Sequence, residues 1–350
     1  DSELIYRANI FSRTSLRVLK KLFSFKLTND RELYIGIKDY PWESIFGKQF
    51  TFAIDSTVNS EFFNHANYVA LKAKDAIVDR LRSIWKFRPN VDIQNPTIRL
   101  NIHISDDVCD VSLDSSGFSL HKRGWRAAQN DAPLNEVLAA GMLALSGWTV
   151  DKPLVDGMCG SATLLMEAAS VAKNYPPGFR SNFSFKNWLD FDKKLYDRII
   201  KNHIPKIIDK PSVAISGIDI SPKSVNISKM NLNESGFDNF VRVRKADFFD
   251  YKPDFENGYI ILNPPYGIRI ENKEDMTEFY KKIGDKIKFD YQGYTAWILS
   301  GNLNALKFVG LKPQRKIPLF NGAIECRFQK YEIFKGTWNE MKTAKGQQSE

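Results

Sequence analysis

Two patterns of apolar and polar positions divide the chain. From Lys152 onward, short apolar runs recur and each closes on polar or turn-forming residues. Leu154-Val155 closes on Asp156, Ala214 to Ile218 on Asp219, Tyr259 to Leu262 on Asn263, and Ala296 to Leu299 on Ser300-Gly301-Asn302. Val241 to Arg244 runs into the turn Ala246-Asp247-Phe248-Phe249. Apolar runs of this kind fit strands buried on both faces, as in parallel sheets. Helical stretches separate them. Thr163 to Ala172 reads as a helix, and Ser221-Pro222 opens another, with serine as cap and proline in first position. Strands alternating with helices predict an α/β domain. Ile317 to Phe320 and Ala323 to Phe334, joined by Asn321-Gly322, read as a hairpin. Residues 173–211 interrupt the alternation and read as an insertion. Its aromatics, at helical spacing from Phe185 to Ile200, are assigned to a core.

The first third has a different texture. Phe50 to Val58 is strand-like. Tyr68 to Trp85 is amphipathic, with Val69, Ala73, Ile77, Leu81 and Ile84 on one face, and Pro89 stops it. Ile98 to Ile104 and Val108 to Leu113 alternate around Ser105-Asp106-Asp107, as a hairpin with one buried face would. Before these, Asn9 to Leu22 carries a basic face (Arg13, Arg17, Lys20, Lys21), and Arg31 to Ile37 reads as a strand by alternation. Residues 1–40 are therefore part of an α+β unit, and 41–118 a sheet backed by a helix. Residues 119–150 hold a basic linker and a helix that opens at Ala132-Pro133-Leu134-Asn135-Glu136 and ends at Gly147.

Composition narrows the class. At 350 residues the chain fits two or three domains. Its net charge of +9 favours a polyanionic partner such as nucleic acid. The three cysteines, Cys109, Cys159 and Cys326, lie far apart, and there are only four histidines, so neither a disulfide framework nor a metal site is expected. No signal peptide or membrane-length apolar run is evident, which makes the cytoplasm the simplest compartment and a membrane partner unexpected. The chain opens at Asp1 without an initiator methionine, as a trimmed chain would.

The candidate chemistry gathers at the strand ends. Two prolines after Asn263 stop the strand and stiffen the turn beyond it. The hook Asn263-Pro264-Pro265-Tyr266 then offers an amide, backbone carbonyls and an aromatic ring, a set suited to a planar base carrying an exocyclic amine. The bland alternative is a turn without chemistry. Gly157-Met158-Cys159-Gly160-Ser161-Ala162 lies between a strand and a helix, where backbone amides can meet a ligand. Asp219, ending the second strand, stands where a carboxylate commonly accepts from ribose hydroxyls. Its separation from the glycine turn exceeds the usual distance of about 20 residues, and the insertion accounts for the excess. Asp247, beside Phe248, can hold an adenine amine edge. In Gly117 to Arg126, the residues Lys122, Arg123, Trp125 and Arg126 combine cations with an aromatic ring, a mixture that grips phosphate and stacks a base. In isolation such a stretch is more often a solvated linker.

Glycine turn, ribose carboxylate, adenine carboxylate and Asn-Pro-Pro-Tyr succeed one another in the order of the Rossmann-like S-adenosylmethionine-dependent methyltransferases of exocyclic amines. The turn Asp156 to Thr163 with Glu167, the stretch His121-Lys122-Arg123-Gly124-Trp125-Arg126, and Asn321-Gly322-Ala323-Ile324-Glu325-Cys326 extend the match. Together they resemble the THUMP-domain guanine-N2 methyltransferases of large-subunit ribosomal RNA, over nearly the whole chain. That resemblance implies an α/β, Rossmann-like class I methyltransferase domain at 151–335, with a polar tail at 336–350. It also implies an N-terminal α+β half that binds RNA: the latter part of a ferredoxin-like subdomain at 1–40 and a THUMP domain at 41–118. It assigns catalysis to Asn263, Pro264, Pro265 and Tyr266. It assigns S-adenosylmethionine binding to Asp156, Gly157, Met158, Cys159, Gly160, Ser161, Ala162, Thr163, Asp219, Ile220, Asp247, Phe248 and Asn263. The partner is a structured RNA, 23S ribosomal RNA by the closest likeness, with Lys122, Arg123, Trp125 and Arg126 in contact with it. A tRNA guanine-N2 methyltransferase shares the same motifs. A DNA adenine methyltransferase would leave residues 41–126 without a role, and a non-catalytic RNA-binding factor would leave the hook and both aspartates without one. Gly157 stands where the family has proline, and Ala162 where it has glycine. If position 162 needs positive φ, alanine strains it by about 1 kcal/mol.

Overall fold

The computed structural model describes residues 2–128, 133–267 and 273–334. The chain divides into two units, Asp1–Lys122 with Pro177–Pro205, and Arg123–Pro176 with Lys206–Glu350. No helix is long and apolar enough to cross a membrane.

In the first unit, α1 (Ser2–Phe11), β1 (Leu19–Lys26), α2 (Asp30–Lys38), β2 (Phe52–Asn59) and α3 (Ala66–Trp85) precede the hairpin β3 (Ile98–Ser105) and β4 (Val108–Asp114). The sheet runs β1-β4-β3-β2, with only the β2–β3 pair parallel. β1 precedes residue 41 and pairs with β4, so strands from both sides of that residue share one sheet. Alternation along β3 buries Ile98, Leu100, Ile102 and Ile104 in one core with Val69, Ala73, Ile77 and Leu81 of α3.

Two expectations for this unit are corrected. Arg31 to Ile37 is not a strand but most of α2. Asn29 caps that helix by accepting from the Arg31 and Glu32 amides, and Leu33 and Ile37, one turn apart, are its buried residues. Asn9 to Leu22 does not form one basic face, because α1 ends at Phe11 and β1 begins at Leu19. Arg17 pairs with Asp114, Lys20 with Asp190 at 3.1 Å and Lys21 with Asp110 at 2.6 Å. The anticipated insertion sends residues 177–205 into this unit. Phe183 and Phe185 are buried there, with the Phe185 ring 4.6 Å from that of Tyr6, and α6 begins only at Lys193 (Lys193–His203).

The second unit holds α4 (Glu136–Ser146), β5 (Leu154–Asp156), α5 (Thr163–Ala172), β6 (Ile215–Asp219), α7 (Pro222–Ser235), β7 (Val241–Lys245) and β8 (Gly258–Leu262). It continues with α8 (Lys273–Asp290), β9 (Tyr294–Ser300), β10 (Arg315–Asn321) and β11 (Ile324–Glu332). Its seven-stranded sheet has the order β10-β11-β9-β8-β5-β6-β7. β5 to β9 are parallel, while β11 pairs antiparallel with β9 and with β10. The expected strands and the hairpin are present, and so is the Ser221 cap, which accepts from the Ser224 amide. α8 has no counterpart in the sequence reading. The strand order reverses between β5 and β8. In open α/β sheets such a switch point leaves a crevice beyond the carboxyl ends of the strands.

Candidate active site

The reversal places the ends of β5, β6 and β8 around one cavity of about 570 Å³, a size that suits a small-molecule cofactor. β5 delivers Asp156, 4% exposed. Its carboxylate accepts from the Met158 amide at 3.3 Å. Burial lifts its pKa to about 7; the Met158 bond opposes that rise and the Asp219 charge adds to it. The turn after Asp156 is held close to its neighbours. A Cβ on Gly157 would lie 2.4 Å from Leu262 and 2.9 Å from Phe248, so glycine lets the turn sit against them. The Cys159 amide donates to the Ile218 carbonyl at 2.9 Å. Ala162 precedes α5 in the left-handed region (φ 64°, ψ 24°) and is fully buried, so the positive φ anticipated for this position is present.

β6 delivers Asp219. One carboxylate oxygen accepts from the Gly160 amide and the other from the Ser221 amide, each at 2.9 Å. The aspartate thus ties the glycine turn to the start of α7, and each oxygen keeps a lone pair for a ligand hydroxyl.

β8 delivers the hook. Asn263 and Tyr266 are half-buried, Pro264 is buried and Pro265 exposed. The Tyr266 hydroxyl donates to Asn263 Oδ1 at 2.9 Å. The turn after β9 and α8 support the hook from beside it. Asn302 Nδ2 donates to the Tyr266 carbonyl at 3.2 Å, and the Tyr280 hydroxyl lies 3.5 Å from the Pro265 carbonyl and 2.6 Å from Ser300 Oγ. Burial raises the pKa of both the Tyr266 phenol and the Cys159 thiol, so both stay protonated at neutral pH. Of the sequence candidates, Asp156, Met158, Cys159, Gly160, Ser161, Thr163, Asp219 and Asn263 to Tyr266 line this cavity. Gly157, Ala162, Ile220, Asp247 and Phe248 do not. Ile220 is 63% exposed, and Asp247 accepts from the Phe249 amide at 2.9 Å as a turn residue.

The cavity also has walls that the sequence reading missed. Pro133, Leu134 and Met142 line it on one side, and Asn321 and Ile324 of the β10–β11 hairpin on another. The available signals were the Pro-Leu-Asn helix start and the stretch Asn321-Gly322-Ala323-Ile324 at the hairpin turn.

The basic stretch is where the structure overturns an expectation. Arg123 is 3% exposed and its Nε lies 3.1 Å from Glu167, itself fully buried. Trp125 is 2% exposed and packs edge-on against Phe237. Arg126 is half-buried. It donates to the Leu134 carbonyl at 2.6 Å and to Thr163 Oγ1 at 2.9 Å, and its Nε lies 2.8 Å from Glu136. Burial lowers the Arg126 pKa, against the pull of Glu136 and Glu167. Arg123 is buried against Glu167 and Trp125 is buried in the core, so neither is placed to grip RNA, and Arg126 holds two walls of the cavity together. Lys122 alone of the four is exposed. Among the described residues, no group of three or more His, Cys, Asp or Glu side chains could hold a metal ion.

Comparison with known proteins adds to this geometry. Residues 123–330 match the family described as RMKL-like, methyltransferase domain, and residues 28–114 match the THUMP domain. A Synechocystis sp. protein, named as a candidate RNA methyltransferase, is 37% identical over 95% of this chain and 87% of its own length. The ribosomal RNA large subunit methyltransferase K/L of Syntrophotalea carbinolica is 33% identical over 95% of this chain. The chain spans about half of that relative, 48% of its length. The crystal structure of SMU.472, a methyltransferase candidate complexed with SAH, superposes with a TM-score of 0.86 at 27% identity, covering 96% of this chain and 89% of that one.

Proposed function

The chain belongs to the RMKL-like methyltransferase family and carries an N-terminal THUMP domain, and from that premise we propose that it methylates the exocyclic N2 amine of a guanosine in 23S ribosomal RNA. One observation carries this reading. The amine-binding hook opens into the same cavity as the glycine turn and Asp219. The K/L name of the relatives and the THUMP domain point to RNA, and to the large ribosomal subunit.

The methyl donor is S-adenosylmethionine, which supplies an electrophilic methyl group on a sulfonium. The residues present fit it. Asp219 has acceptor capacity for ribose hydroxyls, Met158, Cys159, Gly160 and Ser161 of the glycine turn line the cavity, and Leu134, Met142 and Leu164 offer apolar walls. Asp247 and Phe248, which lie outside the cavity lining, take no part in this fit. The target base reaches the cavity from a loop or by flipping out of a stack, because duplex stacking hides its amine. Asn263 Oδ1 and the Pro264 carbonyl accept the two amine hydrogens, which leaves the nitrogen lone pair free to aim at the methyl group. Tyr266 offers its ring to the base. Neither the Tyr266 phenol nor the Cys159 thiol is ionised at neutral pH, and neither is needed as a base. The amine becomes acidic only as it is alkylated, and its proton then leaves to water. Catalysis is orientation and electrostatics.

The test is transfer of labelled methyl from S-adenosylmethionine to unmodified 23S ribosomal RNA, tRNA and DNA in parallel, with nucleoside analysis. Label in N2-methylguanosine from 23S RNA is the expected result. Label confined to tRNA, or to adenine in DNA, would refute the assignment.

A further inference from the structure

The stretch Asn321-Gly322-Ala323-Ile324-Glu325-Cys326 has no part in the methyl transfer itself. The β10–β11 hairpin carries it to the hook. Cys326 pairs with Leu319 across the hairpin, and its neighbour Arg327 pairs with Ser300 at the end of β9. The cysteine is fully buried, with Sγ 3.7 Å from the Tyr266 hydroxyl and 3.5 Å from the Ile324 carbonyl. The hydroxyl in turn donates to Asn263 Oδ1 at 2.9 Å. The tyrosine is held elsewhere too. Asn302 binds its carbonyl, and its ring lies so near Gly301 that a Cβ there would come within 2.9 Å of Cδ2. The same Cβ would lie 2.7 Å from Ile324, so hairpin, β9 and tyrosine meet at a point that only glycine fits. A ring used only for stacking has no need of a hydroxyl placed on the catalytic amide.

We infer that Tyr266, through its hydroxyl and with Cys326 behind it, is a positioning residue for Asn263. This rests on the methyltransferase reading above. An asparagine amide has a broad, roughly two-fold torsion, and turned over it would present NH₂ to the substrate amine, donor against donor. The hydroxyl proton can bond only to Oδ1, and with Cys326 Sγ on the hydroxyl oxygen the tyrosine is biased towards donating rather than accepting from a turned NH₂, which favours the productive orientation. It occupies one lone pair and leaves the other for the amine. Cys326 contributes by meeting the hydroxyl oxygen from β11.

Tyr266→Phe keeps the ring and removes the hydroxyl. In steady-state methylation of a 23S RNA transcript, kcat should fall about tenfold to a hundredfold, the scale of a small misplacement at the reacting centre. The KM for RNA should stay within about twofold, since the ring is retained. Cys326→Ala should lower kcat less, and should add nothing in the Tyr266→Phe background, because it acts through the hydroxyl. A Tyr266→Phe enzyme at parental kcat, or one with raised KM alone, overturns the inference, as does a Cys326→Ala effect that persists without the hydroxyl. Activity of the parent on the transcript tests the function itself, separately from these ratios. A second readout needs no RNA: the Asn263 side-chain NH₂ resonance in ¹⁵N-asparagine-labelled protein, assigned by its loss in Asn263→Ala. It should shift in both Tyr266→Phe and Cys326→Ala, and an unmoved resonance overturns the inference whatever the activity.

Discussion

Arg123 offers the sharpest separation between a structural and an RNA-binding cation. Its Nε lies 3.1 Å from Glu167, with the two side chains 3% and 0% exposed. Arg123→Met removes the cation and leaves a carboxylate buried without it. Breaking a buried pair from one side costs about 3–5 kcal/mol. Arg126, whose guanidinium also feels Glu167, offsets part of that loss and places the expectation near the lower end, about 3 kcal/mol. For a unit of this size, 1 kcal/mol moves the melting midpoint by roughly 2–4 °C, so the variant should melt about 6–12 °C below the parent by calorimetry. Glu167→Gln should behave similarly. Arg123→Met/Glu167→Met should recover much of the loss, since replacing both charges by apolar groups of similar size is often near neutral. RNA affinity against salt supplies the contrast. Lys122→Ala should flatten the slope of log K on log salt by about 0.7–0.9, one phosphate contact, without changing the melting midpoint. Arg123→Met should leave the slope unchanged. An Arg123→Met protein with the parental midpoint and a flattened slope would refute the buried-pair account and restore the arginine to the RNA surface.

Three further outcomes are expected of the site. Asn263→Ala should reduce turnover by about 10²–10³, the usual loss for one preorganised hydrogen-bonding group, with RNA affinity unchanged; steady-state kinetics beside a filter-binding titration checks it. Asp219→Ala should weaken S-adenosylmethionine binding by roughly 1.5–3 kcal/mol, the range for bonds to a charged group, and unchanged affinity by calorimetry would remove Asp219 from the cofactor site. Asp156, with a pKa lifted to about 7, is held more readily protonated than in the unfolded chain. Its contribution to stability is fully present below the ordinary aspartate pKa and is lost as pH rises through about 7. The parent's melting midpoint should therefore fall more steeply than that of Asp156→Asn between pH 5 and pH 8, and parallel profiles would show that Asp156 is not the titrating group.

What the sequence revealed was local. The strands β5, β6, β8 and β9 are legible because each is an apolar run stopped by residues that cannot continue it, and the hook and glycine turn are legible because their constraints lie within a few positions. Arg31 to Ile37 misled because its alternation has two consistent readings. Leu33 and Ile37 are both an even number of positions apart and one helical turn apart, and the Asn29 cap decides between them. Lys122 and Arg123 look alike in sequence. What separates them is Glu167, brought in from α5, and nothing near Arg123 in the chain announces that partner. The cavity walls at Leu134 and Ile324 are hidden for the same reason, since they reach the site only once the helices and the hairpin have packed.

Ala162 is the converse case, in which a single residue carried long-range information. The family pattern that this turn resembles has glycine there, and the chain adopts φ 64° with alanine. An alanine in that conformation costs on the order of 1 kcal/mol. The turn has no freedom to escape it. The Gly160 amide is committed to Asp219, the Cys159 amide to the Ile218 carbonyl, and the Cys159 carbonyl accepts from Ala162 itself at 2.8 Å. Rotating residue 162 out of the left-handed region would strain these bonds and shift the turn that lines the cavity. The buried Ala162 methyl, packed in the same core as Leu165 and Leu232, recovers part of the cost. The left-handed turn is thus imposed by the hydrogen bonds that tie it to Asp219 and Ile218, and the side chain at 162 is tolerated there rather than responsible for it.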